Sequence, residues 1–329
     1  MAKKAKKIKT GKGLRLQVVN PDAAGIDVSS TEMQVCVPLE RDEDPNRKFG
    51  AFTEDLEQIV QWLQGCGIRT VAMESTGIYW VPLFAKLQAA GVEVYLVNAK
   101  SVANFTEEKT DEIDAESLML LHSYGLLKAS FQVNNAAQEI RNLSRHRENQ
   151  IRSLGKVVQQ MQKSMELMNI KLTEVLRDIM GASGQAILQA ILAGERDTGK
   201  LASLADSRCK APREVIAKSL EGTWSEDLLF ALRQSYEHYQ FIQGQIGQCE
   251  QKMGELLQKY GCRVAGAGVT KEVLRSKKQR RKKIAVGFDV ERCGDQLFGV
   301  NLMRIPGISE GSLLKLIGEL GHDFTEKFD

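Results

Sequence analysis

The sequence predicts an α/β domain, then a long helical region, then the beginning of a smaller helical domain. Three observations carry this expectation. Residues 24–98 alternate apolar or β-branched runs of strand length with segments of helical period. From Ala137 onward, apolar residues recur three and four apart over two long stretches. After residue 300 a new apolar pattern begins behind a Pro-Gly pair.

In the first region, AAGIDVSS (23–30) and MQVCVPL (33–39) are two strand runs separated by a short Ser-Thr-Glu turn, as in a hairpin. RKFGAFT (47–53) fits a third strand. A helix follows from about Glu54 to Gln64, with Leu56, Ile59, Val60 and Leu63 on one face. TVAMES (70–75) reads as a strand, Trp80–Ala90 as a helix and EVYLVN (93–98) as a buried strand. This β-β-β-α-β-α-β order is that of an RNase H-like domain. Related nucleotide-binding folds share it, so the order alone leaves both open.

The helical region carries one apolar series from Ile140 through Leu154, Met161 and Met168 to Ile179, and a second from Leu229 through Tyr236, Ile246 and Met253 to Tyr260. Two long amphipathic helices, over 137–182 and 228–260, are expected to pack as an antiparallel hairpin or coiled coil around a polar, glycine-containing middle. Arg147 and several glutamines interrupt the stripe, and polar interruptions at such seams set register at some cost in stability. Residues 261–299 have weak periodicity and read as a linker or loop.

With 329 residues the chain has room for two or three domains, and 43% hydrophobic with 26% charged residues is ordinary for a globular protein. No apolar run spans a bilayer, and the lysine-rich N-terminus has no apolar stretch behind it, so the cytoplasm is the expected location. Six scattered cysteines form no C-x-x-C pair, which excludes zinc ribbons and disulfide frameworks as readings.

The net charge of +3 hides segregation. Residues 1–15 hold seven basic side chains and no acid; residues 271–283 hold eight basic and one acidic. By difference the remainder is at −11. Clustered Lys and Arg release counterions from phosphate backbones, which points to Lys277, Lys278, Arg280, Arg281, Lys282 and Lys283 as nucleic-acid contacts. A solvated tail and loop remain the alternative.

Four carboxylates stand out. Asp27 lies inside an apolar strand run, where an acid is costly unless it is served. Glu74 ends the strand AMES, and Asp111 and Asp114 sit three apart in KTDEIDAESLMLL, on one face of a helix. In an RNase H-like domain these positions converge. Like charges so gathered resist ionising together, and hard divalent cations with all-oxygen ligands resolve the conflict. Two Mg²⁺ ions would stabilise the attacking and leaving oxygens of a phosphoryl displacement. Helix capping and first-turn acids are the structural alternatives for Asp111 and Asp114.

Leu302–Ile305, Pro306-Gly307 and a helix from about Glu310 are similar to one half of a helix-hairpin-helix, in which backbone N–H groups near Gly307 meet DNA phosphates. A helix-turn-helix packing corner is the alternative. Tyr79 and Trp80 are candidates for base stacking or for the core.

Taken together, GIDVSS, MESTGIYW, KTDEIDAESL and RIPGIS resemble the DEDD transposases of the insertion-sequence one-ten family, described as bridge-RNA-guided recombinases. The resemblance implies a tetrad at Asp27, Glu74, Asp111 and Asp114, Mg²⁺ as cofactor, DNA and a structured guide RNA as partners, and a homo-oligomer of two or four chains. The family's plan of an RNase H-like or RuvC-like domain, a coiled coil and a smaller transposase domain matches residues 21–132, 133–262 and the start of a C-terminal domain at 300–329, with the charge pattern adding a basic tail (1–20) and a basic linker (263–299). The family's nucleophilic serine lies some tens of residues beyond the P-G-I segment, so an incomplete active site is expected here. Three alternatives stand beside it: an RNase H-like nuclease or junction resolvase, a non-catalytic nucleic-acid-binding fragment, and an actin-like sugar kinase. The kinase fold needs a second phosphate loop, where residues 137–260 are helical by pattern.

Overall fold

The computed structural model describes residues 17–75, 77–98, 111–130, 135–265 and 286–321, and the side chains of 111–112, 135–136 and 262–265 lie outside that description. The chain divides into two compact units, Met1–Gln132 and Val133–Asp329. No helix among the described residues is long and apolar enough to cross a membrane.

The first unit is built on five strands: β1 (Ala23–Val28), β2 (Glu32–Cys36), β3 (Asn46–Gly50), β4 (Thr70–Glu74) and β5 (Glu93–Val97). Their order in the sheet is β3-β2-β1-β4-β5. The first three pair antiparallel, and β4 and β5 join parallel to β1. This mixed five-stranded sheet with its helices fits an RNase H-like domain. The β1–β2 turn is held by Ser29, whose hydroxyl donates to the Glu32 carbonyl (2.9 Å) and accepts from the Glu32 N–H (3.1 Å).

Strand alternation divides the side chains between the two faces of the sheet. Ala24, Ile26, Val28, Met33, Val35, Val71, Met73 and Leu96 point to one face, where they pack against Leu56, Ile59 and Leu63 of α1 (Thr53–Gly65) and Leu83 and Leu87 of α2 (Trp80–Ala89). Helix α1 starts where expected because the Asp55 carboxylate accepts the Phe52 N–H (3.0 Å). The opposite face carries Gly25, Cys36, Ala72 and Val97 and is covered by α3 (Asp111–Ser123) through Ala115, Leu118, Met119 and Leu121.

The second unit is helical. Its frame is α4 (Asn135–Leu167) and, beyond four short helices α5 (Leu172–Val175), α6 (Ala182–Leu192), α7 (Thr198–Ser203) and α8 (Arg213–Ser219), the 40-residue α9 (Glu226–Ala265). Early residues of α4 meet late residues of α9: Ala137 and Ile140 share a cluster with Met253 and Leu257, whereas Met161 and Met165 share one with Leu232 and Tyr236. The pair is therefore antiparallel. Arg147, which breaks the apolar stripe, forms a buried ion pair with Glu250 across it (2.7 Å).

Helix α4 ends at Leu167, fifteen residues short of the 182 expected from spacing. Asn169 takes a left-handed conformation (φ 58°) and closes the helix, as Asn does at such ends. The spacing of three and four continues past this break because Met168, Ile170, Leu172, Leu176 and Ile179 fill the same core from shorter pieces. The middle is thus a packed helical module rather than a polar connector. Last come α10 (Val290–Phe298), a 3₁₀ turn at Leu302–Arg304 and α11 (Glu310–Leu320).

Candidate active site

The geometry of the site starts from the parallel pairing of β1 and β4, in which Gly25 faces Ala72 and Ile26 faces Met73. Continuing that register by one residue sets Asp27 beside Glu74, on strands about 4.8 Å apart. Two residues from Gly25 and Ala72 respectively, both acids leave the sheet on the face covered by α3.

Helix α3 runs antiparallel to these strands. Its last turn sits over their beginnings, where the Thr70 hydroxyl and the His122 ring are 2.8 Å apart and Tyr95 packs on the ring at 4.5 Å. Its middle crosses β1 at Gly25. A side chain there would meet the Ala115 carbonyl oxygen at 2.2 Å and the Met119 nitrogen at 2.4 Å, so glycine is what lets helix and strand approach. Its first turn, with Asp111 and Asp114, is directed to the carboxyl ends of β1 and β4. In open α/β sheets, ligands bind outside the carboxyl ends of the strands.

The structure therefore brings Asp27 and Glu74 side by side and points the start of α3 at them. Asp27, Glu74 and Asp114 are all partly exposed. Among the described residues no three His, Cys, Asp or Glu side chains are grouped closely enough to hold a metal ion. The Asp111 side chain lies outside the described residues. Carboxylate oxygens such as those of Asp27 and Glu74 are the ligand type that suits a hard divalent cation.

Lys277, Lys278, Arg280, Arg281, Lys282 and Lys283 also lie outside the described residues. Gly307 is exposed in a left-handed turn (φ 94°) ahead of α11, whose first turn is capped by the Ser309 hydroxyl accepting from the Ser312 N–H (3.2 Å). The segment before that turn is a single 3₁₀ turn, not a full helix. Trp80 packs edge-on against Phe84 in the core, while Tyr79 is 44% and Ile78 75% exposed.

Residues 24–170 match the family model of a transposase, the DEDD transposase of IS110 type. That match begins on β1, contains Asp27, Glu74, Asp111 and Asp114, and runs through α4. It supports a transposase or recombinase function, with DNA as partner. No curated protein matches the chain.

Three residues that position the site escape a reading by chemistry. Gly25 has a signal, since a glycine inside a strand marks close backbone approach. His122 has none: a lone histidine in an apolar helix gives no hint that burial will hold its pKa down to about 4. Cys36 packs beneath α3, and burial, with the nearby Glu116 carboxylate, pushes its thiol up to about 12. It is therefore a packing residue and no nucleophile.

Proposed function

We propose that the chain is the DNA strand-cleaving and rejoining protein of a bacterial insertion sequence, guided by a structured RNA and acting as an oligomer. One observation carries the reading: Asp27 and Glu74 stand on adjacent parallel strands, with the acidic start of α3 directed to the same edge, inside a segment that matches a transposase family. Asp27, Glu74, Asp111 and Asp114 would hold Mg²⁺. The metal supplies charge stabilisation for the oxygens exchanged at phosphorus. The protein would supply the placement, with two carboxylates on neighbouring strands of the sheet and the others on the helix packed over Gly25. The basic segment with Lys277, Lys278, Arg280, Arg281, Lys282 and Lys283, together with the Gly307 turn, would contact phosphates, giving affinity without sequence reading.

The test uses Mn²⁺ as a spectroscopic probe together with DNA from the ends of the element. The chain should bind Mn²⁺ at a saturable site that Mg²⁺ displaces, and Asp27→Asn and Glu74→Gln should each weaken it by roughly tenfold or more. Both variants should keep DNA affinity within about twofold, because neither removes a phosphate contact. Unchanged Mn²⁺ binding in both variants would overturn the acid assignment. Loss of DNA binding by the unaltered chain at low salt would overturn the transposase reading. Metal-dependent nicking without joining would favour a nuclease.

A further inference from the structure

The core face of α4 accounts for Ile140, Arg147, Leu154, Met161 and Met165. Half a turn away, Arg145, Arg152, Lys156 and Lys163 succeed one another at intervals of seven, four and seven residues. At 3.6 residues per turn these four fall within an arc of about 40° and form a straight stripe about 27 Å long. All four are exposed, Arg145 by 64% and Arg152 by 71% of the side chain. Asn149 and Gln159, also exposed, flank them, and Leu167 at the very end is the large exposed apolar residue of the helix among those described.

The acids nearby are engaged at one end of the stripe. Glu319 receives Arg145 through two hydrogen bonds (2.9 and 3.0 Å), and Glu148 pairs with Lys315 at 2.7 Å and more loosely with Arg152 at 3.7 Å. Lys156 and Lys163 have no ion-pair partner among the described residues. A face with four cations, amide side chains between them and almost no apolar surface does not suit a protein partner, whose interface core is depleted of charge. It suits a line of phosphates.

We infer that this outward face of α4 is a docking surface for the phosphate backbone of duplex DNA. The inference rests on reading the chain as a transposase, since that makes DNA the polyanion in hand. The stripe is shorter than one turn of B-form duplex, about 34 Å, so all its cations can address one side of the double helix without bending it. Backbone contacts of this kind position the protein and carry no sequence information. They would hold DNA along the helical unit.

Arg152→Gln, Lys156→Gln and Lys163→Gln combined test it, against a control that removes the same charge elsewhere in the unit, Lys210→Gln, Arg213→Gln and Lys218→Gln. Binding of a labelled DNA duplex and a labelled RNA hairpin is followed by anisotropy across a salt series. For DNA, the stripe variant should lose roughly tenfold in affinity at low salt, and the slope of log K against log salt should fall by about 2–3, near 0.9 per lost phosphate contact. The control should keep both. Equal slopes in stripe and control variants overturn the docking surface while leaving the transposase reading intact. A slope change confined to the RNA overturns DNA as the occupant. An unaltered chain that binds neither nucleic acid overturns the function first, and the surface with it. Helical content by circular dichroism shows that the exposed substitutions leave α4 folded.

Discussion

At Gly25 the missing side chain determines where a helix can lie. Gly25→Ala places a methyl group 2.2 Å from the Ala115 carbonyl oxygen, so α3 must lift from β1. Urea unfolding should show a loss of about 1–3 kcal/mol, the range for overpacked cores. Because α3 bears Asp111 and Asp114, Mn²⁺ affinity should fall with it. His122 gives a pH signature. Burial lowers its pKa from 6.5 to about 4, so the folded state prefers the neutral ring. Between those values the unfolded chain takes up the proton and the folded chain does not. The contribution is complete above about pH 6.5 and is lost as the pH falls toward 4, by up to about 3 kcal/mol. His122→Gln, which cannot gain charge, should flatten that part of the stability profile. Cys36, pushed up to about 12, should resist alkylation at pH 8 in the native protein and react at the ordinary rate in urea. Neither behaviour is legible in sequence, because both pKa values are set by what packs against the residue after folding.

Among the elements, the α4–α9 pair shows how a polar interruption is accommodated. Arg147 and Glu250 are each only 7% exposed, and the second Glu250 oxygen accepts the Gly287 N–H at 2.8 Å. Removing the arginine alone leaves a buried carboxylate without its cation. Arg147→Met should cost about 3–5 kcal/mol. Pairing it with Glu250→Gln, which keeps an acceptor for Gly287 and removes the charge, should recover part of that loss. A double-mutant cycle by denaturant unfolding measures it, and strict additivity of the two changes would show that the pair is not coupled. The strands and helices of the first unit were legible to within about three residues because each carries a clear period and a turn signal. The end of α4 was not: a spacing of three and four persists through the Asn169 break, since separate short helices contribute to one core.

For the molecule as a whole, two compact units imply separate cores. The apolar face of the sheet is closed by α1 and α2, and its other face by α3, all within Met1–Gln132. Residues 17–132 alone should therefore fold, with a mixed α/β circular dichroism spectrum and a cooperative thermal transition. A fragment with no cooperative transition would show that the sheet depends on the helical unit. The transposase match extends past this unit to residue 170, through α4. That helix also carries the basic stripe, so the isolated fragment should bind Mn²⁺ and bind DNA more weakly than the whole chain.

By itself the sequence carried the order of strands and helices along the first unit and two long amphipathic stretches, and it singled out four acids as candidates, because hydrophobic period and the anomaly of a charge in an apolar run are local properties of the chain. Only the tertiary structure decided that Asp27 and Glu74 lie side by side, since their adjacency arises from a parallel pairing of strands 47 residues apart. Only it showed that α3 crosses at Gly25, that Arg147 finds Glu250, and that four cations spread over nineteen residues lie along one outward helix face. Those facts depend on which surfaces meet and which stay in water, and burial is settled by packing between distant segments rather than by the residues in their own neighbourhood.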